Sequence, residues 1–96
     1  MAIKKKKMKY FFLTLEIRDG EREYSSEILR ASSTMTADKI GEYEASTFWD
    51  THNGKPAKKY DIDSDWYEHC GGETMVRCRK CIEIPKVDYD VLAEYL

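Results

Sequence analysis

Residues 66–81, WYEHCGGETMVRCRKC, hold all three cysteines of the chain, one of its two histidines and a Gly-Gly pair. Thiolates and imidazoles are the donors of structural zinc. Such a site needs four of them, usually with cysteines paired two residues apart so that both sulfurs reach one ion. Cys78-Arg79-Lys80-Cys81 is one such pair. Cys70 and His69 would complete the set, with His52 in reserve. The second pair is missing, because His69 and Cys70 are adjacent and neighbours in a strand point to opposite faces. Cys78 and Cys81 also fall on opposite faces of a regular strand. With a turn at Gly71 to Glu73, Cys70 sits opposite Thr74, and Cys78 lies about 13 Å further along at roughly 3.3 Å per residue. One ion reaches all three sulfurs only if a bulge re-aims one residue. The expectation is therefore plain thiols, with no metal and no cofactor. The zinc set Cys70, Cys78, Cys81 and His69 is the alternative. The same separation argues against a Cys70–Cys78 disulfide, which needs Cα atoms within about 7 Å. A redox Cys-x-x-Cys normally opens a helix, whose N-terminus lowers the thiol pKa. Here the pair lies inside a strand pattern, so Cys81 is at most a reactive surface thiol.

Asp61-x-Asp63-x-Asp65 has the spacing of the first half of a calcium loop. That loop also requires Gly at its sixth place and Glu at its twelfth. Those places hold Trp66 and Gly72, so the calcium reading fails. The acids remain as a surface for basic groups on a partner, joined by Glu68, with Trp66 and Tyr67 as aromatic anchors. No nucleophile elbow, phosphate-binding glycine loop or H-E-x-x-H occurs. His52 and His69 have no evident nucleophile partner. A chain of 96 residues leaves little volume for a substrate pocket, and no enzymatic activity is expected.

The charge is unevenly spread. Residues 1–9 carry five lysines and no acid, leaving 11 of the 16 basic residues against all 18 acidic ones, a charge of −7 over the rest. A basic arm over residues 1–9 thus precedes a single acidic domain over 10–96. An acidic body argues against direct nucleic-acid binding. It favours a protein partner with a basic surface. No apolar run approaches the roughly 20 residues of a membrane span. The odd cysteine count points to a reducing, cytoplasmic compartment.

These groups must be positioned by a small set of elements. Phe11, Leu13, Leu15 and Ile17 alternate with Tyr10, Phe12, Thr14 and Glu16, the period of a half-buried strand. Asp19-Gly20 is a tight-turn signal, and Glu21 to Arg30 returns as a second strand. That loop places Ile17 opposite Arg22, Leu15 opposite Tyr24 and Phe11 opposite Ile28. Thr36 or Ser33 can cap a helix over Ala37 to Trp49. In a rival reading, Tyr43 to Trp49 alternates as a strand leading to an Asn53-Gly54 turn. His52 to Pro56 is a loop, and Tyr60 to Asp65 is acidic and irregular. Trp66 to Cys70 and Thr74 to Ile84 form a second hairpin, with Val76, Cys78, Ile82 and Ile84 on one face. Pro85 ends it. A short helix over Val87 to Leu96 packs Val91, Leu92, Tyr95 and Leu96 inward. The fold class is α+β, ββαββα, an antiparallel sheet of about four strands with helices on one face.

In size, lone α+β domain, acidic body and absence of a catalytic motif, the chain resembles small phage- or mobile-element-encoded inhibitors such as anti-CRISPR proteins. The resemblance spans the whole chain in style and rests on no motif. It implies stoichiometric inhibition of a larger, nucleic-acid-binding protein by covering its basic groove. A nucleic-acid-binding or zinc-knuckle module is one alternative. The other is a homodimer that hides Tyr10 and Phe12 in a symmetric interface.

Overall fold

The computed structural model describes residues 7–48 and 57–96. The basic arm up to Lys6, Trp49, His52 and the Asn53-Gly54 turn lie outside the described residues. Strand β1, Lys9–Asp19, follows from the alternation of its sequence. Phe11, Leu13, Leu15 and Ile17 are all fully buried. The chain reverses into β2, Arg22–Ser32, with Asp19 paired to Arg22. The two-residue loop is therefore Gly20-Glu21, one residue later than the sequence suggests. Gly20 alone takes a positive φ, 63°, at the first central position. That is the glycine requirement of a type II′ turn, and it leaves Asp19 extended in the ladder. Ile17 faces Tyr24, Leu15 faces Ser26 and Phe11 faces Arg30. Each pairing departs from expectation by two residues. An even slip leaves every side chain on its intended face.

Helix α1, Ala37–Ser46, replaces the rival strand reading. Thr36 caps it, its hydroxyl accepting from the Lys39 N–H at 3.4 Å. The helix ends earlier than Trp49, where the Thr47 N–H and hydroxyl both turn back to the Tyr43 carbonyl. Strand β3 is Lys58–Lys59, too short for any sequence pattern to reveal. Strand β4, Tyr67–His69, turns through a 3₁₀ turn at Cys70–Gly72 into β5, Thr74–Ile84. His69, not Cys70, pairs with Thr74. Cys70, Gly71 and Gly72 have φ of 54°, 70° and 96°, so the left-handed stretch takes Cys70 out of the ladder. Among the described residues the sheet has five antiparallel strands in the order β2-β1-β5-β4-β3, one more than expected.

Strand β5 departs furthest from the sequence reading. Leu15 pairs with Cys78 and Thr14 with Lys80, leaving Arg79 as one extra residue on β5. This bulge reverses the alternation beyond it. Cys81 comes opposite Leu13, on the same face as Cys78, while Ile82 and Ile84 come opposite Phe12 and Tyr10 on the other. The shared face expected for Val76, Cys78, Ile82 and Ile84 therefore breaks at Arg79.

The core lies under α1. Leu15, Ile17, Ala45, Tyr67 and Val76 form one cluster, and Phe11, Leu13 and Ile40 form the other. Cys78 packs against both. Helix α2, Lys86–Ala93, does not join them. Its Tyr89 ring meets Tyr10 at 4.8 Å between centroids, and Tyr10 points away from Phe11 and Leu13. The two helices thus occupy opposite faces, which corrects the one-face arrangement. Val91, Tyr95 and Leu96, expected to pack inward, are exposed, and only Tyr89 and Leu92 are half-buried.

Candidate binding groove

A groove of about 450 Å³ runs between α1 and the 61–65 loop, with β5 beneath it. Its geometry begins at Gly41. A Cβ at this position would stand 2.9 Å from the Cys78 sulfur and 3.7 Å from the Cys81 Cβ. The missing side chain lets α1 come down onto the bulge. Both thiols then line the groove, together with Tyr67. Asp38 and Glu42, one helical turn apart on α1, line one side, and Asp63 and Asp65 line the loop side. Lys59, Arg79 and Lys80 complete the wall along the strands.

The loop is a built turn. The Asp61 carboxylate accepts the Asp63 N–H at 3.2 Å, and the Asp61 carbonyl accepts the Ser64 N–H at 3.0 Å. The Ser64 hydroxyl accepts the Trp66 N–H at 3.0 Å. These short-range bonds hold Asp63 and Asp65 at the groove.

Burial, and after it the carboxylates, act on the groove floor. Burial pushes the Cys81 thiol up to about 11, with Cys78 and then Asp38 adding to the effect. Burial also raises the Cys78 thiol; a hydrogen bond with the Lys80 backbone opposes this, and Asp65 adds to the rise. The Tyr67 hydroxyl rises for the same first reason, then through Glu42 and Asp65. All three groups stay neutral at pH 7, and neutral thiols are poor nucleophiles. The reactive surface thiol expected at Cys81 is therefore a protonated, half-buried one.

The residues singled out from the sequence divide between two faces. Asp63 and Asp65 line the groove, and Asp61 is exposed at the start of their turn. Tyr67 is only 9% exposed and belongs to the core, so it is no protruding anchor. Trp66 and Glu68 lie with the opposite face. The guanidinium groups of Arg18 and Arg77 each lie 4.7 Å from the Trp66 ring centroid. Arg77 is itself held by Glu16 at 2.8 Å and stands 3.7 Å from Asp65. Trp66 is thus half-buried in a charged network. Sequence reasoning missed Asp38 and Glu42 as groove residues. The available signal was their i, i+4 spacing beside Ala37, Gly41 and Ala45, a small-residue stripe that admits close packing.

The four proposed zinc donors do not converge. Cys70 is exposed at the hairpin tip. His69 is 2% exposed, and its Nε2 donates to the Ala45 carbonyl at 2.8 Å. Only Cys78 and Cys81 come together. Among the described residues no group of three or more His, Cys, Asp or Glu side chains is placed to hold a metal ion. Compared with known proteins, the chain matches no family model, no curated protein and no solved structure.

Proposed function

We propose that this chain is a non-enzymatic binding protein that inhibits a larger, nucleic-acid-binding protein stoichiometrically, by seating a basic segment of it in the α1 groove. The supporting observation is the placement of four carboxylates along the groove, Asp38 and Glu42 from α1 and Asp63 and Asp65 from the loop. Asp38, Glu42 and Asp65 add to burial in holding floor groups neutral. A lysine or arginine side chain entering there meets carboxylates from both sides, with Lys59, Arg79 and Lys80 confined to the strand wall, and lays its methylene stem on Cys78, Cys81 and the Tyr67 ring. The acidic body would steer the approach. The sheet supplies a rigid base, so little ordering is needed on binding.

Asp63 and Asp65 keep their role, Asp38 and Glu42 join them, and Tyr67 serves as floor. Asp61 contributes through the turn it starts. Glu68 and Trp66 belong to the other face and drop out. The probe is a short arginine-rich peptide titrated at low salt. Changing Asp61, Asp63 and Asp65 together to Ala should leave folding intact and weaken binding at least tenfold, about 1.4 kcal/mol. Unchanged affinity at low salt would remove the electrostatic basis of the proposal.

A further inference from the structure

The sheet ends in two unlike edges. One is β3, two residues long and made of Lys58 and Lys59. Shortness and lysine are two of the ways proteins blunt an edge against other chains. The other edge is β2, with 11 residues and, among the described residues, a ladder partner, β1, on one side only. It carries no Pro, no Lys and no register shift against β1. Counting from the turn pair Asp19–Arg22, its odd-numbered residues from Glu23 to Ala31 turn their backbone N–H and C=O groups outward. Its charges, Arg22, Glu23, Glu27 and Arg30, are the one such protection it carries, and a long, regular edge otherwise unblunted is a template for another strand.

We infer that β2 pairs antiparallel with β2 of a second copy of this chain, about a two-fold axis perpendicular to the sheet. The two five-stranded sheets then form one continuous sheet. Such an axis keeps both α1 helices on one side, so even-numbered residues face even-numbered ones. Charge selects among the registers with the longest overlap. Pairing all 11 strand residues sets Glu27 against its own copy. Sliding by two in one direction sets Arg22 against the partner's Arg30. Sliding by two in the other direction opposes no like charges. It puts Ile28 on its own copy, Glu27 opposite the partner's Leu29, Ser25 opposite the partner's Ala31 and Tyr24 opposite the partner's Ser32. Like charges directly opposite are destabilising, so this third register is favoured. Arg30, opposite the partner's Ser26, keeps its own ion pair with Glu44 on α1.

Sedimentation across the micromolar range should give a species of twice the 11.3 kDa chain mass. Glu27→Pro removes an outward N–H and no bond to β1, so the circular dichroism should hold while the protein becomes monomeric. Leu29 supplies the register test. Leu29→Glu and Leu29→Lys lose the same packing against Phe12 on the neighbouring strand. The first sets two Glu–Glu oppositions across the axis, and the second sets two Lys–Glu pairs. The dimer of Leu29→Glu should dissociate about tenfold more readily than that of Leu29→Lys. A wild-type monomer at every concentration would overturn the inference, as would a dimer indifferent to Glu27→Pro. Equal dissociation of the two Leu29 variants would overturn the register, and they decide even if the proline variant fails to fold. None of these residues lines the groove, so the result is independent of the binding proposal.

Discussion

Gly41→Ala should destabilise the protein, against the usual rule for helices. Alanine inside an exposed helix is favoured over glycine by about 1 kcal/mol. Gly41 is buried, and its new Cβ would stand 2.9 Å from the Cys78 sulfur and 3.2 Å from the Cys78 Cβ. The first is closer than real Cβ atoms come and the second is tighter than most, so α1, the Cys78 side chain or the bulge has to move. Overpacking of this kind costs about 1–3 kcal/mol. The net loss should be about 1 kcal/mol, or about 4–8 °C in Tm for a domain of this size. Urea unfolding with an unchanged m-value is the assay. Cys78→Ala removes the clashing sulfur, so the same change in that background should cost at least about 1 kcal/mol less, a coupling that distant sites do not show. A Gly41→Ala protein that is stabilised, as propensity alone predicts, would refute the close approach of α1 to β5. So would additive losses in the double variant.

Stability should fall at alkaline pH. Cys81 has a folded pKa of about 11 against an unfolded 9.0, so the folded state holds its proton more tightly. The contribution is complete below pH 9.0 and is lost as pH rises through about 11. The raised Cys78 and Tyr67 groups act in the same direction. Two pH units correspond to about 2.7 kcal/mol, and partial exposure brings the Cys81 share to about 1–2 kcal/mol. Denaturant midpoints measured either side of that window should show the loss, and Cys81→Ser should flatten it. Leu13→Ala, at a fully buried site between Phe11 and Ile40, should cost about 2–5 kcal/mol by chemical unfolding. Arg77→Ala should cost about 1–2 kcal/mol, because Glu16 and the Trp66 ring both lose a partner. The indole N–H resonance of Trp66 should shift with it.

The strand β1 was legible because its alternation is complete and its inward residues are all large and apolar. The faces of the first hairpin were legible too, although its register was not, since Asp19-Gly20 admits two turn placements two ladder steps apart. The bulge was hidden by a strand that keeps alternating in composition, and only the Arg79-Lys80 doublet between two cysteines marks the slip. That slip brings Cys78 and Cys81 to one face, which no regular strand does. Helix α2 looked amphipathic, yet Val87, Val91 and Tyr95 share a stripe that stays exposed. Its inward contact is the aromatic pair with Tyr10, a residue read as facing away from the core. The groove needed α1, the turn and the bulge together, so the sequence offered its loop acids but not the helix acids that face them.

The central claim is best tested by amide and side-chain NMR shifts during titration with a short arginine-rich peptide. The chain has 18 acidic residues, so the location of the shifts matters more than binding itself. The shifts should concentrate at Asp38, Gly41, Glu42, Asp63 and Asp65 and saturate at one peptide per chain. They should vanish when those four carboxylates are changed to Asn or Gln. Shifts spread over Glu21, Glu23, Glu27 and Glu94 as strongly as over the groove, or binding unaffected by the neutralised groove, would contradict it.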